Sequence, residues 1–186
     1  MILAGGASRR FGSPKGFAQL NGVRLIDLVL ERLRAQTRAE IALNAGAESA
    51  YGALDLPLIP DSHTGQPGPL AGLYAAMDWA ASLGYERVAT VPVDLPFLPT
   101  DFITRLNAAD APAIAQSQER AHPVCGLWPV SLKDELGRQI EAGMRAAHIW
   151  ATHCQAKPVH FPLDEKGRDP FFNINTPDDL TAAERA

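Results

Sequence analysis

Reading the chain for chemistry begins with the stretch Leu3-Ala4-Gly5-Gly6-Ala7-Ser8-Arg9-Arg10-Phe11-Gly12-Ser13-Pro14-Lys15, which sets very small residues beside Arg9, Arg10 and Lys15. Small residues let backbone N–H groups approach phosphate oxygens, and the cations add the charge a triphosphate requires. A tight turn with solvated basic residues is the plain alternative. The density of small and basic residues just after an apolar strand end favours phosphate binding. No commoner motif fits. Lys15 follows Pro14 and precedes Gly16, so this is not a Walker loop, and Arg10 holds the last glycine position of a nucleophile elbow around Ser8.

A second constellation is Val91-Pro92-Val93-Asp94-Leu95-Pro96, one carboxylate at the end of an apolar run. In open α/β sheets ligands bind outside the carboxyl ends of the strands, and Mg²⁺ is satisfied by one or two protein oxygens with phosphates and water. A turn-capping role for Asp94 weighs equally on the residues alone. Pro60-Asp61-Ser62 through Gly68-Pro69-Leu70-Ala71-Gly72 is a long loop running into a helix, where Gly72 would let a ligand lie against the first turn; a surface loop is the simpler account. Asn173-Ile174-Asn175 puts two amides on one face of an extended segment, suited to a metal or a substrate but also to ordinary turn chemistry. His122 reads as packed or surface-exposed.

These residues need a scaffold. Apolar strand-like runs alternate with helical periodicity, which predicts an α/β fold: a Rossmann-like, mostly parallel sheet with helices on both faces, in one domain spanning 1–186. Strands are expected at Met1–Leu3, Ile41–Leu43, Leu56–Ile59, Arg87–Val93, Ala113–Ala115, Val124–Trp128 and Val159–Phe161. Helices are expected over Leu25–Arg34 and Leu70–Ser82, from Thr100 through Leu106, and from Ser131 with Asp134 as a capping box. A terminal helix is expected to be capped by Thr176, with Pro177 at its first position.

Composition narrows the partners. An apolar fraction of 46% suits a packed core, and a net charge of −4 argues against a general nucleic-acid binder. Cys125 and Cys154 stand alone, without metal-site spacing. The reading expects no membrane span and a cytoplasmic location.

Taken together, Leu3-Ala4-Gly5-Gly6-x-Ser8-x-Arg10-x-Gly12-x-x-Lys15, Gly68-Pro69-Leu70-Ala71-Gly72, Pro92-Val93-Asp94-Leu95-Pro96, His122-Pro123 and Asn173-Ile174-Asn175-Thr176-Pro177 resemble the molybdenum cofactor guanylyltransferases, in that family's order and over nearly the whole chain. The resemblance implies a Rossmann-like nucleotidyltransferase that moves GMP from GTP to the terminal phosphate of molybdopterin and releases pyrophosphate. It implies nucleotide contacts at Leu3, Ala4, Gly5, Gly6, Lys15, Asn44, Asp61 and Asp94. Arg10, Lys15 and Asp94 become the catalytic set, with Asp94 the ligand of Mg²⁺. Gly68, Gly72, His122, Asn173 and Asn175 fall near the acceptor. Cofactor-delivery proteins and recipient molybdoenzymes become further partners. Phe11 and Pro14 depart from the family, where Met and Asp are common. The rivals are a cytidylyltransferase acting on the same pterin, against which Gly5-Gly6 tells, a nucleotidyltransferase for another small phosphorylated acceptor, and a non-catalytic GTP-binding protein.

Overall fold

The structure is a computed structural model, and it describes residues 1–5, 14–46, 50–62 and 68–185. In chain order the first elements are β1 (Ile2–Leu3), the hairpin strands β2 (Gln19–Leu20) and β3 (Val23–Arg24), helix α1 (Leu25–Arg34), β4 (Leu43–Asn44) and β5 (Leu58–Ile59). Next come α2 (Pro69–Ser82), β6 (Arg87–Pro92), α3 (Phe102–Ala108), β7 (Ala113–Ser117) and β8 (Arg120–Pro129). The chain closes with α4 (Lys133–Glu141), α5 (Ala147–His153), β9 (Lys157–His160) and α6 (Pro177–Arg185).

Seven strands form one sheet in the order β5-β4-β1-β6-β8-β7-β9. β5, β4, β1 and β6 run parallel, β8 runs against both β6 and β7, and β9 is parallel to β7. The predicted mostly parallel sheet is thus present, with one reversed strand in its second half. Strand alternation explains the layers. Ile2, Leu43, Val91 and Leu127 pack with α1 and α3, whereas Met1, Ala42, Val88 and Trp128 pack with α2, α4 and α5. Helices therefore cover both faces, and the carboxyl ends of β1, β4, β6 and β7 open on one rim.

Several local expectations change. The β2–β3 hairpin was not anticipated, although its turn is Asn21-Gly22 with φ of 49° and 80°, the left-handed pair that a two-residue hairpin requires. Ser131 does not cap a helix. It lies in a 3-10 turn (Val130–Leu132), and α4 starts at Lys133 with no side-chain cap. Thr100 does not cap α3 either; Asp101 precedes that helix and pairs with Arg105 instead. The short helix α5 was not expected. Thr176 does cap α6, accepting from Asp179 N–H at 3.1 Å, while Asp179 Oδ2 accepts from the Asn175 and Thr176 N–H groups at 2.8 Å.

Candidate active site

Three separate segments meet above the end of β6. Lys15 opens a 3-10 turn (Lys15–Phe17), Asp94 stands just past β6, and Asn173 and Asn175 lie between β9 and α6. Lys15 Nζ donates to Asp94 Oδ2, to Asn175 Oδ1 at 2.7 Å and to Asn173 Oδ1 at 3.2 Å. The ion pair is largely withdrawn from water, with side-chain exposures of 16% for Lys15 and 11% for Asp94, so its attraction is screened far less than that of a surface pair.

The backbone explains the convergence. Val93 N–H donates to Leu3 O at 3.0 Å, tying the residue before Asp94 to β1, and Ile174 N–H donates to Asp94 O at 3.1 Å. Ile174 is fully buried, so its two asparagine neighbours point outward, as the alternation of an extended segment demands. Lys15 is fixed through its neighbour. Gly16 N–H donates to Tyr51 Oη at 2.9 Å, and Phe17 stacks on the Tyr51 ring at 4.8 Å. A side chain at Gly16 would place Cβ 2.6 Å from Tyr51 Oη and 2.9 Å from Val93 Cγ2, so only glycine fits there. Burial raises the Tyr51 hydroxyl pKa, keeping it a neutral phenol.

Asp94 Oδ1 is buried and has no hydrogen-bond partner among the described residues. Burying an unpaired carboxylate oxygen is costly, and a hard cation would remove that cost. The neighbouring acceptors are amide oxygens, and no group of three His, Cys, Asp or Glu gathers among the described residues. One carboxylate supported by neutral oxygens suits Mg²⁺ carried in with phosphates.

A second cluster lies two strands over, beyond β1. Asn44 is buried at the end of β4, and its Nδ2 donates to Ile59 O at 3.0 Å and to Asp61 Oδ1 at 2.9 Å. Gly72, buried at the end of the first turn of α2, lies directly beneath it: a Cβ there would stand 2.5 Å from Asn44 Oδ1. Gly5 borders the same oxygen at 3.4 Å, measured in the same way. Two backbone groups of the expected nucleotide contacts are already used by the sheet, since Leu3 O accepts from Val93 and Ala4 N–H donates to Asn44 O at 3.0 Å.

The structure therefore brings together Lys15, Asp94, Asn173 and Asn175, and separately Asn44, Asp61, Gly5 and Gly72. Leu3 and Ala4 are half-buried between the two groups. Gly6 and Arg10 lie outside the described residues. Gly68 is exposed immediately before α2. His122 bonds Ser117 and stacks on Phe171. Sequence reasoning missed Gly16, Tyr51, Ser117 and Asp169. It also missed Asp179, for which a signal existed: it stands three residues after Thr176, the spacing of a reciprocal cap.

A mostly parallel α/β sheet thus carries a cation, a carboxylate and two amides over the end of a central strand, and the match to known families makes its class that of the nucleotidyltransferases. Residues 1–156 match the MobA-like NTP transferase domain, and the chain belongs to that family. Among its relatives, the molybdenum cofactor guanylyltransferase of Rhizobium leguminosarum bv. trifolii (strain WSM2304) is 45% identical over 194 residues, covering 100% of this chain and 90% of the relative. That of Cereibacter sphaeroides (strain ATCC 17029 / ATH 2.4.9) is 40% identical over 188 residues, covering 99% and 94%. The crystal structure of molybdopterin-guanine dinucleotide biosynthesis protein A from Archaeoglobus fulgidus is similar with a TM-score of 0.74 at 28% identity, covering 99% of this chain and 95% of that one. No helix among the described residues is long and apolar enough to cross a membrane.

Proposed function

We propose that the chain is a molybdenum cofactor guanylyltransferase that moves GMP from GTP to the terminal phosphate of molybdopterin. An acceptor phosphate oxygen forms a bond to the α-phosphorus, the bond from that phosphorus to the bridging oxygen breaks, and pyrophosphate leaves with the electron pair. The observation that carries this reading is the convergence of Lys15, Asp94, Asn173 and Asn175 from three distant segments.

Such a transfer asks the protein for alignment and charge neutralisation more than for covalent work. The acceptor is itself ionised near neutral pH, so no strong general base is needed. Lys15 would turn its ammonium from Asp94 to the triphosphate, and Arg10 would add a second positive charge. Asp94, through its buried Oδ1, would hold Mg²⁺, which when bound neutralises charge on the phosphate oxygens. Asn173 and Asn175 would orient the acceptor phosphate or hydrate the metal. Asn44, Asp61 and the backbone around Leu3 and Gly5 would border the guanosine, with Gly68 and His122 on the acceptor side. We place this chemistry in the cytoplasm, with cofactor-delivery proteins and recipient molybdoenzymes as partners.

The test is pyrophosphate release from GTP or CTP with Mg²⁺ and molybdopterin. GTP-dependent release with formation of the guanine dinucleotide is expected. Equal turnover with CTP would overturn the guanylyl assignment, and no release with either nucleotide would overturn the transferase reading.

A further inference from the structure

The segment carrying Asn173 and Asn175 has no regular secondary structure, yet it is held at both ends. At the far end, Ile174 N–H bonds Asp94 O, and Asp179 Oδ2 accepts the two N–H groups that follow. At the near end stands a polar network whose Ser117 and Asp169 have no part in the proposed reaction. Ser117 closes β7 and is fully buried, and its Oγ donates to Asp169 Oδ1 at 2.7 Å. The same carboxylate oxygen accepts Phe171 N–H at 2.9 Å. His122 Nε2 lies 2.8 Å from Ser117 Oγ, and its ring stacks on Phe171 at 4.7 Å with 22° between planes. Because the single Ser117 proton goes to Asp169, the His122 Nε2–H must be the donor in its own bond. Phe171 is in turn buried against Phe161 at 5.2 Å and Phe102 at 6.2 Å.

We propose that Ser117, His122 and Asp169 are positioning residues: through Asp169 and the stacked Phe171 they fix the loop that sets the amide oxygens of Asn173 and Asn175 beside Lys15 and Asp94. This rests on reading that cluster as the reaction centre. The logic is geometric. A loop without a ladder of its own keeps two side chains in register only if its backbone is pinned on either side of them. A buried hydroxyl between a half-buried carboxylate and a half-buried imidazole is such a pin, because each group satisfies the other. The brace lies at the rim where β7 ends and β8 begins, so the asparagine positions are referred to the sheet itself. Burial also lowers the His122 pKa, which keeps the ring neutral and its hydrogen-bond pattern single.

The experiment compares Asp169→Ala, Asp169→Asn and Ser117→Ala in the full chain. Three readouts are needed: GTP affinity by calorimetry, kcat and KM for the molybdopterin acceptor, and the side-chain amide signals of Asn173 and Asn175 by NMR. Asp169→Ala and Ser117→Ala are expected to lower kcat by about ten- to a hundredfold, with GTP affinity within about threefold, because a small misplacement at a reacting group carries that scale of loss. They are also expected to shift the two asparagine amide signals. Asp169→Asn retains an oxygen that accepts both donors, so it is expected to restore most of kcat. Unmoved amide signals in folded Ser117→Ala, or an Asp169→Asn variant as impaired as Asp169→Ala, would overturn the positioning role. So would parallel losses of GTP affinity and kcat. If Asp169→Ala does not fold, Ser117→Ala and Asp169→Asn carry the comparison. If the unaltered chain transferred nothing to the acceptor, the guanylyltransferase reading would fail while the NMR arm still decided this one.

Discussion

The two polar clusters on the rim stand on either side of β1, at the ends of β6 and β4, and are built on opposite principles. Around Lys15 a charged pair with two amides is gathered from three distant segments, and a buried carboxylate oxygen has no partner among the described residues. Around Asn44 the central group is a neutral amide on the sheet, with both described bonds made by its Nδ2 and with Gly72 packed beneath it. The first arrangement carries strong, redirectable electrostatics suited to phosphates and a cation. The second is a fixed hydrogen-bonding shape, which discriminates among ligands of equal charge. In the proposed reaction one cluster would govern turnover and the other the choice of nucleotide.

The sharpest way to break this contrast is Asp94→Asn. Shape is kept and charge is lost, so transfer should fall about a hundredfold or more while circular dichroism stays native. Turnover near that of the unaltered chain would remove the metal role. Next in size is Lys15→Ala. A charge-assisted phosphate contact contributes roughly 1.5–3 kcal/mol, so GTP affinity by titration calorimetry should drop about ten- to a hundredfold; unchanged affinity would take Lys15 out of the nucleotide site. On the other cluster, Asn44→Ala should reduce the preference for GTP over CTP by about tenfold, since an unpaired buried group costs about 1–3 kcal/mol. Thermal stabilisation by each nucleotide reads this directly, and a preserved preference would mean that the base is selected elsewhere. The smallest effect sharpens the contrast. Tyr51→Phe deprives Gly16 N–H of its acceptor and should cost about 1 kcal/mol in urea unfolding, with kcat falling by only a few fold. A large kcat loss there would show that Lys15 depends on the Tyr51 hydroxyl for its placement.

Lys15, Asp94, Asn173 and Asn175 stood out in the sequence as chemistry-bearing residues beside a strand end or in an extended segment, but turn roles competed for Asp94 and the two asparagines, and it was the family resemblance that separated the two readings. The layered fold was legible because strand and helix periodicities alternate cleanly. What stayed hidden depends on packing across the chain. Nothing near Tyr51 announces that its hydroxyl will meet Gly16. Ser117 and Asp169 are ordinary polar residues until the end of β7 comes to lie under the later loop. Gly72 reads as room for a ligand, and in the fold that room is taken by Asn44. The direction of β8 was unreadable as well, since an apolar run has the same period whichever way it is laid in the sheet. The β2–β3 turn and the Asp179 cap carried recognisable local signals and were simply not used.

The reversed strand has a consequence for how the molecule assembles. β7 and β8 form a hairpin in which Ser117 pairs with Arg120 across the left-handed turn at Gln118 and Glu119, whereas β1 joins β6 by pairing Leu3 with Pro92. Closing a short loop costs little chain entropy, and contacts of low sequence separation form readily, while the central parallel pair must wait for α1, β4, β5 and α2 to be gathered in between. Ser117 and His122 both belong to that hairpin. Topology thus favours an order of events in which the wall that later braces the asparagine loop is raised early, and the pairing of β1 with β6 is completed among the last.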